Sequence, residues 1–140
     1  IIGANGAGKS TMLNAIAGVF DVDSGSIIID GKDVTRLPEF KRAAYLGRVF
    51  QDPMMGTAPN MWIEENLALA LRRGEKRSLK WSMPKGEELE LYGAQVARLG
   101  LGLEDRLQTK VGLLSGGQRQ AITLLMATIK NPDLLLISCH

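Results

Sequence analysis

An α/β layered fold with a mostly parallel core sheet is the architecture that this sequence predicts. Two runs of the sequence are apolar without polar residues in alternation, residues 1–2 and residues 134–137. Such runs are typical of strands that are buried on both faces of a parallel sheet. Between these runs, segments of helical and strand character alternate with short connections. Such alternation favours helices packed in layers on a sheet.

The first half of the chain predicts helices and strands in alternation. In chain order they are a helix over residues 10–17, a strand over 26–30, a short helix over 38–44 and a strand over 45–50. Gly18 closes the first helix, and the turn residues 23–25 separate it from the β-branched strand that follows. Pro38 stands where prolines often begin a helix.

The second half predicts three further helices, over residues 62–73, 87–99 and 117–130. In the first of them, acidic Glu64 and Glu65 begin the helix and Arg72 ends it, which suits the helix dipole. Residues 74–86 are polar and rich in helix breakers, and we interpret them as an exposed loop rather than a contact for an acidic partner or lipid. The expected core positions of the last two helices are Leu91, Ala94, Val96, Leu99, Ala121, Ile122, Leu125 and Ile129.

Composition and charge narrow the class of protein. One cysteine cannot form a disulfide within the chain, which excludes a disulfide scaffold. The 17 basic and 15 acidic residues are interspersed, so we expect no nucleic-acid partner. No apolar run approaches the roughly 18 residues of a bilayer span, and no secretory signal is evident, which points to the cytoplasm. The chain begins at Ile1 rather than Met and stops just after an apolar run, so we expect both ends to be cut.

A glycine-rich loop stands between the first predicted strand and the first predicted helix. Residues 3–10, GANGAGKS, match the pattern G-x-x-x-x-G-K-[ST]. Glycines let backbone N–H groups turn inward around a polyphosphate, and the helix start adds partial positive charge. Lys9 would place a charge on the β- and γ-phosphates and Ser10 a hydroxyl on Mg²⁺, whereas Thr11 is either a second hydroxyl or an ordinary first-turn residue. The predicted nucleotide-binding residues are Asn5, Gly6, Ala7, Gly8, Lys9, Ser10 and Thr11.

A second glycine-rich turn, residues 114–118 with the sequence LSGGQ, precedes the last predicted helix. Ser115 is the expected N-cap, and the amides of Gly116 and Gly117 are unobstructed. Such a helix start is a second anion site, and one chain does not need two for a single triphosphate. The simplest interpretation is that this turn serves the nucleotide held by another copy.

With these motifs, the sequence resembles the ATP-binding subunit of ABC transporters over essentially all of its 140 residues. Residues 3–11 resemble the family's Walker A motif, Gln51 its Q-loop glutamine, and residues 114–118 its signature. The resemblance implies a P-loop NTPase fold of the ABC ATPase type with an inserted helical subdomain. It divides the chain into a core over 1–51, the helical subdomain over 52–113, and the signature helix with the Walker B strand over 114–140.

The resemblance also implies cofactors and partners, namely ATP, Mg²⁺ and a second ATPase subunit packed head to tail. The residues expected to contact the partner's ATP are Ser115, Gly116, Gly117 and Gln118. Gln51 would couple to Mg²⁺ and the attacking water, and residues 52–66 would face a transmembrane permease. Trp62 stands where many relatives have a small threonine, so the surface expected to face the permease differs from theirs at this position.

The catalytic carboxylates of the family are missing from the sequence. Relatives continue from the Walker B strand into Asp-Glu, where this chain has Ser138 and Cys139. Neither residue replaces a carboxylate at neutral pH, so we expect this chain alone to bind ATP but to hydrolyse it poorly. We favour a fragment-end artefact such as a frameshift over a degenerate site paired with an active partner, or a truncated pseudo-protein. Cys139 and His140 are too few for a metal chelate and form no oriented triad.

The predicted function is therefore an ATP-hydrolysing transporter subunit at the cytoplasmic face of the membrane. An importer is favoured over an exporter, with a substrate-binding protein as a further possible partner. Two alternatives stay open. One is a soluble ABC ATPase acting on ribosomes or DNA, although no heptad run is present. The other is a regulatory ATP-binding subunit without turnover.

Overall fold

The computed structural model describes residues 6–52, 54–75 and 84–138 of the chain. The helices are α1 (Lys9–Ala17), α2 (Glu39–Arg42), α3 (Ile63–Leu71), α4 (Glu87–Ala97) and α5 (Gly116–Thr128), and the strands are β1 (Ile28–Ile29), β2 (Lys32–Asp33), β3 (Leu46–Val49) and β4 (Leu134–Ile137). The predicted helices are confirmed, each with slightly different ends. The strand predicted over residues 1–2 lies outside the described residues.

The strand predicted over residues 26–30 is wrong in extent. Only Ile28–Ile29 is extended, and the chain turns back at once to pair antiparallel with Lys32–Asp33. Asp30 and Gly31 have φ of 46° and 73°, which is the left-handed backbone of a tight hairpin turn. Asp30 and Gly31 therefore form the centre of a hairpin.

Strands β3 and β4 pair in parallel, with Leu46 opposite Leu134 and Val49 opposite Ile137, which agrees with the predicted parallel core sheet. One face of the pair packs on α1, because Leu46, Leu134 and Leu136 share a buried cluster with Ala17. The other face packs on α5.

Gly47 makes this second contact possible. An added Cβ there would lie 2.3 Å from the backbone oxygen of Ala127 in α5 and 2.8 Å from a methyl carbon of Leu135. Since strand side chains alternate between faces, α1 and α5 cover opposite faces of the same two strands.

A second, helical core joins α3, α4 and α5. Its buried members are Ile63, Leu67, Ala68, Tyr92, Val96, Leu103, Val111, Leu114, Ile122 and Leu125. The prediction that Leu91 and Ala94 belong to the core is wrong, since both are exposed, and Tyr92 is buried instead. The side chains of this segment that pack in the helical core are Leu89, Tyr92, Val96 and, just after α4, Leu99, so the predictions for Val96 and Leu99 are confirmed.

Arg42 holds the C-terminal end of α1 in place. The side chain is 1% exposed and donates to the carbonyl oxygens of Ala15 and Ile16 at 2.7 and 3.0 Å and of Thr35 and Leu37 at 2.7 Å. A guanidinium suits the carbonyl-rich C-terminus of a helix, where the dipole favours a cation. The end of α1 is thereby tied to the segment before β3.

The remaining features of the fold are the length of its helices and the loop before α4. Within the described ranges, no helix is long and apolar enough to cross a membrane. Of the exposed loop predicted over 74–86, residues 76–83 lie outside the described residues. At its edge Glu75 forms an ion pair with Lys130 at 2.8 Å.

Candidate functional site

The glycine-rich loop leads directly into α1. Gly6 and Gly8 have φ of 86° and 78°, and an added Cβ at either would meet nothing within 4 Å. Their backbone angles therefore require glycine, whereas the surrounding space does not. Gly8 caps α1 without a side-chain hydrogen bond, and no acidic residue lies in the first turn. An exposed helix start of this kind is suited to an anion.

The predicted phosphate-binding residues fall around this helix start. Ala7, Ser10 and Thr11 are exposed, and Lys9 is half-buried. Asn5, predicted to bind the same nucleotide, lies outside the described residues. Ser10 and Thr11 stand in the first turn of α1, so their hydroxyls and the amides of that turn are on the same end of the helix. These residues fit a polyphosphate with a bound divalent cation.

Gln51 and Ser138 leave the sheet at the same edge. Gln51 is exposed just after β3, and Ser138 follows β4 with its N–H donating to the Val49 carbonyl at 3.0 Å. The parallel register continues to this point, because Val49 lies opposite Ile137. Ligand sites of α/β sheets form at the carboxyl ends of strands. Cys139, expected next to Ser138, lies outside the described residues.

The signature turn is built as a capped helix start. Ser115 Oγ accepts from the Gln118 N–H at 3.3 Å, and Gln118 Oε1 accepts from the Ser115 N–H at 3.1 Å. This reciprocal pair is a capping box. Ser115, Gly116 and Gly117 are exposed, and an added Cβ on either glycine would meet nothing within 4 Å. The N-cap prediction for Ser115 is confirmed, and the Gln118 amide oxygen serves the cap.

Arg119 was not predicted and holds the loop that leads into this turn. Its guanidinium donates to the carbonyl oxygens of Gly112 and Leu114 at 3.0 Å, to that of Val111 at 3.3 Å, and to the Met54 sulfur at 2.9 Å. A cation in the first turn of a helix opposes the helix dipole. That unfavourable placement is the sequence signal that could have identified Arg119.

The segment after Gln51 is held by Asn66, another residue that the sequence prediction passed over. Asn66 is fully buried, accepts from the Ala58 N–H at 2.8 Å, and donates to the carbonyls of Ala58 and Trp62 at 3.1 and 2.9 Å. Glu65 caps the same helix start by accepting from the Trp62 N–H at 2.7 Å. Hydrogen bonds from within the segment therefore hold the surface that is predicted to face a permease.

A separate acidic cleft of about 450 Å³ lies beside α3, lined by Glu64, Leu89, Gln108 and the loop residues 104–107 and 109. Glu64 is 4% exposed, and burial raises the pKa of its carboxyl. Sequence analysis assigned Glu64 only to the helix dipole. In the part of the chain that the structure describes, no cluster of three His, Cys, Asp or Glu residues could hold a metal.

Comparisons with known proteins agree with this arrangement. A family model described as ABC transporter matches residues 1–137. The chain is 44% identical to the tyrosine transport ATP-binding protein of Clostridioides difficile (strain R20291), over 100% of this chain and 55% of that protein. It is 37% identical to the spermidine/putrescine import ATP-binding protein PotA of Haemophilus influenzae, over 98% of this chain and 33% of that protein.

Solved structures with similar folds are also ATP-binding cassettes. One is a nucleotide-free cassette from an ABC transporter, with a TM-score of 0.68 and 30% identity over 96% of this chain and 54% of that one. Another is a dimeric cassette in a post-hydrolysis state bound to ADP and Pi, with a TM-score of 0.73 and 26% identity over 96% and 56%. The chain thus spans about half the length of these proteins, and a third of PotA.

Proposed function

Because the chain belongs to the ABC transporter family, we propose that it is part of the ATP-binding and ATP-hydrolysing subunit of a transporter. ATP binding and hydrolysis would drive transport of a substrate across the membrane. One observation carries the proposal: two exposed, glycine-flanked helix starts, at Gly8 and at Gly116, begin helices that cover opposite faces of the β3–β4 pair. The opposite placement supports the use of each start by a different nucleotide.

ATP is proposed to bind at the start of α1. The amides of the first turn and the charge of Lys9 would hold the phosphates, and Gly6 and Gly8 supply the left-handed backbone that the loop needs. Mg²⁺, when bound, would neutralise phosphate charge, and Ser10 and Gln51 are the residues proposed to hold it. Thr11 adds a second hydroxyl at the same helix end.

The site is proposed to be completed by a second subunit packed head to tail. Ser115, Gly116 and Gly117 are exposed at the start of α5. The backbone N–H groups of Gly116 and Gly117, and the side chain of Ser115, would contact the partner's nucleotide. The capping box fixes the orientation of this turn before the partner arrives. Gln118, which closes the box, is proposed to contact the same nucleotide.

Hydrolysis is proposed to be weak in the chain as it stands. Gln51 can orient a water at the edge of the sheet, but Ser138, and Cys139 after it, have no carboxylate to polarise that water. A subunit that binds ATP without turning it over is therefore the second candidate, and Ser138 is the observation that favours it. A steady-state ATPase measurement on the full-length gene product separates the two.

Relatives named for tyrosine transport and for spermidine/putrescine import favour an importer, with a transmembrane permease as partner and a location at the cytoplasmic face of the membrane. A substrate-binding protein is proposed as a further partner. Residues 52–66, with the exposed Met54 and Met55, form the surface proposed to meet the permease. A soluble ATPase of the same family would instead lack permease genes beside its own.

The direct test reconstitutes the full-length gene product with its permease in vesicles. ATP-dependent transport is expected, and Lys9→Ala should lower ATP turnover by ~100-fold or more, the order of loss found when one transition-state donor is removed. Lys85→Ala, at an exposed lysine before α4, is the matched control and should leave turnover unchanged. Absence of ATP-dependent transport by the unmodified protein would contradict the proposal.

A further inference from the structure

The segment after Gln51 and the loop before the signature turn are hydrogen-bonded to each other. The Val111 N–H donates to the Met61 carbonyl at 3.1 Å, and the Gly112 N–H donates to the Pro59 carbonyl at 2.8 Å. At Gly112 an added Cβ would lie 2.9 Å from the same Pro59 oxygen. The two segments therefore touch through their backbones, with no space between them.

Arg119 closes the other side of this contact. In the 3₁₀ turn Val111–Leu113, the N–H groups of the first two residues donate to residues 59–61. The carbonyls of Val111, Gly112 and Leu114 accept from the Arg119 guanidinium. The same guanidinium reaches the Met54 sulfur at 2.9 Å, three residues beyond Gln51. Only an arginine presents enough donors, in a fixed plane, for all four acceptors.

A second contact runs parallel to the first, one helical turn further along α5. An added Cβ at Gly56 would lie 2.8 Å from the Thr123 methyl carbon, and Thr123 Oγ1 donates to the Arg119 carbonyl at 2.9 Å. Arg119 and Thr123 share one face of α5, because they are four residues apart. The segment 54–56 thus lies along the first two turns of the signature helix.

We propose that Arg119 is a positioning residue, which ties the orientation of the signature turn, Ser115 to Gly117, to the position of the segment after Gln51. The inference rests on the proposed function, since it concerns how the turn meets the partner's nucleotide. Arg119 contacts no nucleotide in this scheme. It sets the carbonyls of the preceding loop, and therefore the direction in which the amides of Gly116 and Gly117 face.

The test uses Arg119→Met and Arg119→Lys in the full-length gene product and measures two quantities. One is the affinity of a single subunit for a fluorescent ATP analogue, and the other is the dissociation constant of the dimer formed with ATP. Arg119→Met should leave nucleotide affinity within ~2-fold and weaken dimer formation by ~10-fold, since several hydrogen bonds to a charged group are lost. Arg119→Lys should recover part of the loss.

Arg98→Met, at an exposed arginine whose guanidinium contacts Gln95 at 3.4 Å, is the matched control and should change neither quantity. Met54→Leu removes the sulfur acceptor while keeping the volume, and should weaken the dimer by ~2-fold to ~3-fold. If Arg119→Met does not fold, Arg119→Lys and Met54→Leu decide the question. Wild-type dimer formation in the variants that fold would overturn the role of Arg119. Failure of the unmodified protein to bind ATP or to dimerise with it would instead overturn the proposed function.

Discussion

Single polar side chains at buried or half-buried positions hold the loops of the site in place. Arg42, Asn66 and Arg119 direct their donors mainly at backbone carbonyls of segments that are distant along the chain or irregular in structure. Each side chain supplies hydrogen bonds that the backbone of a strand or helix would otherwise supply, because buried carbonyl groups need donors. The functional loops are therefore shaped by a few polar side chains rather than by regular pairing.

Glu64 is a buried residue whose ionised form the fold disfavours. Burial raises the pKa of its carboxyl above the ordinary value of 4.5, although Gln108 donates a hydrogen bond to it. A carboxyl with a raised folded-state pKa costs stability wherever it is ionised. The cost is full above the folded pKa and disappears as the pH falls below 4.5.

We therefore expect Glu64→Gln to raise the Tm of the full-length gene product at neutral pH, by roughly 2–4 °C. The gain should shrink as the pH is lowered through the pKa of Glu64. Thermal denaturation followed by circular dichroism at several pH values measures it. Glu90→Gln, at an exposed first-turn position of α4, is the control and should show no such pH-dependent gain. If the Tm gain of Glu64→Gln stayed the same from about pH 4 to about pH 8, the raised pKa of Glu64 would be contradicted.

Among single residues, those that belong to a local sequence motif could be predicted to be part of the site. The side chains that hold separate segments together, Asn66 and Arg119, could not. The N-cap role of Ser115 is confirmed, and the phosphate-binding roles of Lys9 and Ser10 stay predictions, made because their spacing from glycines is local along the chain. Asn66 and Arg119 act on carbonyls whose positions depend on the tertiary fold, which no spacing reveals. Only the unfavourable charge of Arg119 at a helix start could have suggested a special role.

The packing of α5 on β3 is the contact that joins the signature helix to the sheet. Gly47 stands at its centre, where the Ala127 carbonyl approaches too closely for any side chain. A Cβ at 2.3 Å from a backbone oxygen cannot be accommodated by a rotamer change. The whole helix would have to move.

Gly47→Ala should consequently destabilise the protein by about 1–3 kcal/mol, as overpacking of a dense interior does. Gly93→Ala is the matched change, because an added Cβ in α4 would meet nothing within 4 Å. That variant should be neutral or stabilised by up to ~1 kcal/mol through helix propensity. Urea unfolding of both variants of the full-length gene product measures the difference. Equal stability of the two would show that α5 is not seated on β3 as described.

At the scale of elements, α3, α4 and α5 could be predicted because charges, caps and apolar spacing agree within each segment. The hairpin β1–β2 could not, since two-residue strands have no measurable alternation and their pairing depends on the turn at Asp30 and Gly31. In α4, the prediction of Leu91 rather than Tyr92 as a core residue is wrong for a similar reason. Leu91 and Tyr92 are adjacent, and only packing against α3 and α5 decides which of them is buried.

In the molecule as a whole, the helices that begin at the two glycine-rich turns, α1 and α5, lie on opposite faces of the β3–β4 pair. Helix α1 packs on the face of the β3–β4 pair that bears Leu46, and α5 packs on the face of Gly47. The layered α/β architecture was predictable, because apolar strands and amphipathic helices alternate in the sequence. The assignment of residues 52–113 to a separate helical subdomain stays a prediction, and α5 contributes to both the helical core and the sheet packing.

Cross-linking between two differently labelled chains tests most directly whether one nucleotide is shared by the phosphate loop of one copy and the signature turn of another. The two variants are Ala7→Cys and Gly117→Cys of the full-length gene product, both at exposed positions and both in a background in which Cys139 and any other native cysteine are replaced by serine. They are mixed with ATP and EDTA and treated with a short bifunctional maleimide. We predict a cross-linked heterodimer that requires ATP and is absent when either variant is treated alone. A heterodimer that fails to form in the presence of ATP, or that forms equally without ATP, would contradict the shared site.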